Sequence, residues 1–93
     1  MNVVMTRNAQ AILDEELGDS QDFVMSILNR HFQGDWGEIC EEDKGVNGEA
    51  METGARLMSI YSTEGGTKVW VITDAGWKTG EHQVTTVLLP EDY

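Results

Sequence analysis

Seven carboxylates crowd into eighteen residues of this chain: Asp35, Glu38, Glu41, Glu42, Asp43, Glu49 and Glu52, with Lys44 the only base among them. Residues of this type can do three kinds of chemistry. A close pair can exchange protons with a substrate, provided one member is buried enough to shift its pKa. A loop of oxygen ligands can hold a hard cation. A surface row can attract a basic partner. Nothing in the pattern marks any pair here as pocketed. The run Asp43-Lys44-Gly45-Val46-Asn47-Gly48 has an acid, an amide and a glycine where the first, fifth and sixth positions of a calcium loop need them. It has Gly45 at the third position and Gly54 at the twelfth, where a ligand and a glutamate belong. A turn or a helix is the expectation there, and the third chemistry is left. A second acidic group, Asp14, Glu15, Glu16, Asp19 and Asp22, lies nearer the start of the chain.

The candidates for soft-metal or nucleophilic chemistry are His31, Cys40 and His82. They show no ligand spacing, and a tetrahedral site would need a carboxylate as its fourth ligand. His31 extends an apolar helical stripe, which predicts a buried histidine with its hydrogen bonds satisfied. A Cys–His nucleophile pair would need a third group to orient it, and none is local. Gly65-Gly66-Thr67-Lys68 lacks the spacing of a phosphate-binding loop and sits between two strand-like runs, so a hairpin is expected. The expectation is a chain with no catalytic residue, no metal and no cofactor.

The charge balance narrows the partners. Against 17 acids stand 6 bases, for a net charge of -11. Residues 1–52 hold 12 acids and 3 bases, and residues 53–93 hold 5 and 3, so the excess lies in the first half. Such a surface repels phosphate backbones and attracts basic proteins. The alternative source of the charge is solubility. Cys40 is the one cysteine, so an intrachain disulfide is ruled out, as suits a reducing cytoplasm. The apolar start Met1–Met5 is followed by Arg7 and an acidic segment, which is no signal peptide, and no run approaches the roughly 20 apolar residues of a membrane span. A cytoplasmic protein without a membrane partner is expected.

The elements that must carry these residues form one 93-residue α+β domain. Thr6 caps a helix with Ala9, Ile12, Leu13 and Leu17 inward and Gly18 as its stop. Asp19 or Ser20 caps a second, whose stripe is Phe23, Val24, Ile27, Leu28, His31 and Phe32, ended by Gly34. Trp36 and Ile39 anchor the next segment. Glu41–Thr53 reads as a short or broken helix, because Gly45 and Gly48 each cost about 1 kcal/mol relative to alanine. From Arg56 the period changes to two. Strands are expected over Leu57–Ser62, Thr67–Thr73 and Val84–Leu89, with a hairpin at Thr63–Gly66, a turn at Asp74–Gly76 leading to Trp77, and a loop around Thr79–Gly80. The predicted architecture is two or three N-terminal helices packed on a three-stranded antiparallel meander.

The strings Asp35-Trp36-Gly37, Glu42-Asp43-Lys44 with Asn47, Thr53-Gly54-x-Arg56-Leu57 with Tyr61, and Gly66-Thr67-Lys68-x-Trp70-x-Ile72-Thr73 carry a family likeness. So does the closing Thr85-Thr86-x-Leu88-Leu89-Pro90-Glu91-x-Tyr93, its most distinctive part. Over roughly residues 31–93 the chain resembles the small bacterial plasmid-related proteins, some labelled type I restriction subunit M-like. The resemblance implies a mobile-element setting and brings no catalytic residue with it. Gly45 and Gly48 depart from the more helix-friendly residues of that family. Charge and setting together lead to the expectation of a non-enzymatic inhibitor of a host nucleic-acid-targeting defence complex, anti-CRISPR or anti-restriction in type. It would act as a DNA mimic, covering a basic nucleic-acid groove with the acids from Asp35 to Glu52, and would not bind nucleic acid itself. The alternative is a plasmid accessory protein, acidic for solubility and homodimeric.

Overall fold

The computed structural model describes residues 2–76 and 84–93. Its elements in chain order are β1 (Asn2–Met5), α1 (Arg7–Leu17), α2 (Gln21–Phe32), α3 (Glu41–Thr53), β2 (Leu57–Ser62), β3 (Lys68–Thr73), β4 (Val84–Leu88) and a 3-10 turn (Pro90–Asp92). The class is α+β, as the change of period at Arg56 predicts. Trp77, the loop around Thr79–Gly80 and His82 lie outside the described residues.

Local chemistry sets the helix ends. The Ala9 N–H donates to Thr6 Oγ1 at 3.1 Å, satisfying one orphan donor of α1, and Gly18 closes the helix at φ +80°. The α1–α2 corner is held by Asp14, whose Oδ1 accepts from the Ser20 hydroxyl at 2.6 Å. Asp19 Oδ1 accepts from the Gln21 N–H at 3.0 Å, so both residues expected at this cap take part in the corner.

The sheet differs from the expected three-stranded meander. It has four strands in the order β1-β4-β3-β2, with β1 parallel to β4 and the other pairs antiparallel. The Met1–Met5 run, read only as an apolar start, supplies the added strand, registering Asn2 with Val84 and Met5 with Val87. Alternation along the strands sends Leu57, Ser59, Tyr61, Val69, Val71, Thr73, Thr85, Val87 and Leu89 inward, where all are buried. Ala9, Leu13, Ile27 and Leu28 of α1 and α2 close the core over that face.

The third helix is unbroken, which corrects the expectation drawn from its glycines. A Cβ at Gly45 or Gly48 would meet nothing within 4 Å, so both stand on the open side of the helix. Propensity is overridden by anchoring, since Asn47 and Ala50 are buried on the other side. Asn47 Nδ2 donates to the Met58 carbonyl at 2.7 Å and Asn47 Oδ1 accepts from the Met58 N–H at 3.3 Å. Two residues further along β2, the Ile60 N–H donates to the Trp36 carbonyl at 3.2 Å and the Glu38 N–H to the Ile60 carbonyl at 2.8 Å. The β2 edge is thereby covered, one of the standard ways to keep an edge strand from pairing with another chain.

The last residues pin the C-terminal end to the first helix. Asp92 Oδ2 accepts from Thr6 Oγ1 at 2.7 Å and from the Leu89 N–H at 3.0 Å, and Oδ1 accepts from Asn8 Nδ2 at 3.0 Å. Tyr93 lies edge-on to Trp70 with ring centroids 5.4 Å apart, and the Arg56 guanidinium sits 5.6 Å from the Tyr93 centroid. No helix among the described residues is long and apolar enough to cross a membrane.

Candidate functional site

The seven acids from Asp35 to Glu52 divide by position. Asp35 precedes, and Glu38 ends, the strap of residues 36–38 that covers β2. Asp35 accepts from Arg30 Nε at 2.8 Å and Nη2 at 3.3 Å, and its Oδ1 accepts from the Gly37 N–H at 3.3 Å. Glu38 pairs with Lys68 of β3. The Arg30 guanidinium holds the Asp35 carboxyl below its ordinary pKa, and Lys68, followed by Ser62, does the same for Glu38. Both carboxylates are exposed, yet each already has a cation of its own chain.

The other five lie on α3. At 3.6 residues per turn, Glu41, Glu42, Glu49 and Glu52 fall within an arc of roughly 100°, opposite Asn47 and Ala50. All four are exposed. Along the axis they span roughly 16 Å, at 1.5 Å per residue. Lys44 lies 3.5 Å from Glu41, an exposed pair of the kind that neutralises little. Among the described residues no cation pairs with Glu42, Asp43 or Glu49. Asp43 stands apart from the row, beside the shallow depression that it lines with Arg56, Met58 and Asn47. Three acids in the first turn also sit well against the positive end of the helix dipole.

The second acidic group is spent largely on architecture. Asp14 holds the α1–α2 corner, and Glu16 reaches the β2–β3 hairpin, where Oε1 accepts from Thr67 Oγ1 at 2.5 Å. Hydrogen bonds from Thr63, then Thr67, lower the Glu16 pKa. Among the described residues, this leaves the outer face of α3 as the densest row of exposed acids.

The motif-like runs resolve as expected. Asp43–Gly48 is helical, so it forms no calcium loop. Gly65 and Gly66 belong to the hairpin, closed by the Gly66 N–H to the Thr63 carbonyl at 3.0 Å, with Gly66 at φ +92°. Among the described residues no three His, Cys, Asp or Glu side chains are grouped to hold a metal. Cys40 is exposed, whereas His31 is buried and satisfied. Its Nδ1 lies 2.5 Å from Ser59 Oγ and its Nε2 2.9 Å from Thr73 Oγ1, which in turn lies 2.8 Å from Thr85 Oγ1. Burial pushes the imidazole down to about 4, so it is neutral at pH 7. Ser59, Thr73 and Thr85 are fully closed off, so this row is a polar stitch through the core and offers a substrate no access.

Sequence reading missed that stitch. Its signal was present: Ser59, Thr73 and Thr85 occupy inward positions of three strands, in phase with Tyr61, Val71 and Val87. Tyr61, Gly37 and Asn47, singled out in the sequence, have structural duties. The Tyr61 hydroxyl donates to the Asp35 carbonyl at 2.6 Å, Arg30 stacks 4.8 Å from the Tyr61 centroid, and Gly37 and Asn47 cover the β2 edge. No family model matches the chain, and no curated protein or solved structure matches it.

Proposed function

We propose that this chain is a binding protein that inhibits a nucleic-acid-targeting defence complex by laying the outer face of α3 into a basic groove. The observation that carries the reading is the row Glu41, Glu42, Glu49 and Glu52, four exposed carboxylates on one helical face over roughly 16 Å. A nucleic-acid strand offers one phosphate per 3.4 Å of rise, so a groove of lysines and arginines that tracks phosphates is attracted to such a row. The net charge of -11 adds long-range steering and opposes direct contact with DNA or RNA. The resemblance to plasmid-related proteins supplies the mobile-element setting. Asp35 and Glu38 play a smaller part than the sequence assigned them, because their charges are met by Arg30 and Lys68.

The test compares the wild type with the variant Glu41→Lys, Glu42→Lys, Glu49→Lys in capture from a bacterial lysate over rising salt. Circular dichroism confirms that both are folded. The wild type should recover a basic protein that is released by salt and by competing DNA, and the variant should lose it. Equal recovery by both would remove α3 as the binding face. Recovery of nothing by either would leave solubility as the role of the charge, as in an accessory protein.

A further inference from the structure

The two edges of the sheet are treated differently. The β2 edge is covered by the strap and by Asn47, whereas the outer edge of β1 has no partner among the described residues. Hydrogen bonding on β1 alternates, and the Thr6 N–H donates to the Val87 carbonyl, so even-numbered residues face β4. The N–H and C=O groups of Val3 and Met5 therefore point outward. Beside this edge runs an apolar groove between Val3 and the exposed side of α2, lined by Met25, Leu28 and Phe32. Along this groove Val3 is 46%, Met25 61% and Phe32 45% exposed, and Val4, 48% exposed, stands at the same edge on the opposite face of the sheet.

We infer that a second copy of this chain covers this edge, joining two four-stranded sheets into one of eight strands through antiparallel β1–β1 pairing. Three features favour the second copy over a foreign strand. The segment complements itself: with Val4 on the two-fold axis, Val3 of each copy exchanges N–H and C=O bonds with Met5 of the other, four bonds in all. Charge allows it as well. In a chain of net charge -11, the residues lining the groove include a single acid, Asp22, so two copies can meet here without opposing their acidic faces. Apolar surface is present as well: Val3, Val4, Met25 and Phe32 are all large, well-exposed apolar side chains at or beside this edge, and pairing buries them toward the roughly 1,000 Å² total that a specific interface needs. The pairing leaves the outer face of α3 to any basic partner, so the inference stands apart from the proposed function.

Sedimentation equilibrium of the wild type should give twice the chain mass of 10.4 kDa. In a mixture of labelled and unlabelled protein, a cross-copy contact between the two Val4 α-protons should appear, because they form the close, non-hydrogen-bonded pair. Val3→Pro removes an outward N–H and spares the ladder to β4, and Met25→Glu places an acid in the groove. Each variant should sediment at the chain mass while keeping its circular dichroism. A wild type at the chain mass at high micromolar concentration would overturn the inference. So would dimers that persist in both variants, or a β1 edge that pairs only with an unrelated peptide.

Discussion

The Asn47 carboxamide and the Met58 peptide group form a two-way pair: Nδ2 donates to the carbonyl at 2.7 Å while Oδ1 accepts from the N–H at 3.3 Å. One side chain of α3 thus occupies the place on the β2 edge that a neighbouring strand would otherwise take. Asn47→Ala should lower stability by about 2 kcal/mol, since it leaves a part-buried donor and acceptor without partners. Asn47→Asp should cost more, because a carboxylate accepts from the Met58 N–H but repels the carbonyl. Urea unfolding of the three proteins checks this, and equal midpoints would show that water replaces the carboxamide freely.

Gly37 bridges to Ile60 at φ +72°, and a Cβ there would stand 2.0 Å from the Ile60 carbonyl oxygen. Gly37→Ala should therefore break the strap rather than strain it quietly, at a cost of at least 2 kcal/mol. Amide exchange gives the sharper reading. Protection at Glu38 and Ile60 should fall well before that of the β3–β4 pair.

The two helical stripes and the hairpin were legible because each is written in neighbouring residues. The strand β1 was not, since its four residues form an element only through β4, more than eighty positions away. For α3 the sequence showed two glycines and a propensity penalty. It could not show that both glycines face solvent while Asn47 and Ala50 anchor the opposite side. The acidic cluster itself was plain, but its division was not. Arg30 meets Asp35 five residues on, whereas Lys68 reaches Glu38 from thirty residues away. Periodicity alone cannot tell a carboxylate that the fold uses from one it leaves exposed.

Because Gly45 and Gly48 lie in open space, the two alanine variants should be more stable than the wild type, by roughly 0.5–1 kcal/mol each. Thermal unfolding measures this, and a loss of stability in either would mean that the outer side of α3 is covered.

Finally, the His31 stitch ties stability to pH. Burial lowers the folded pKa to about 4, whereas in the unfolded chain the imidazole titrates near its ordinary value of about 6.5. Between these values the unfolded state binds the extra proton, so stability is fully present above pH 6.5 and is lost as pH falls toward 4. The slope approaches about 1.4 kcal/mol per pH unit, and the loss between pH 6.5 and 5 is about 1.5 kcal/mol. Ser59 and Thr73, the groups facing the two ring nitrogens, are neutral and cannot compensate the charge. Asp35, Glu38, Glu16 and Asp92 have lowered pKa values, so their own losses come chiefly at lower pH. His31→Gln keeps an amide near both hydroxyls and removes the titration. Its stability should be lower at pH 7 and nearly level from there to pH 5. Urea unfolding at half-unit steps reads the two slopes, and the His31 ring resonances of the folded wild type should stay unshifted above pH 5. Parallel slopes in the two proteins would place the pH sensitivity elsewhere in the chain.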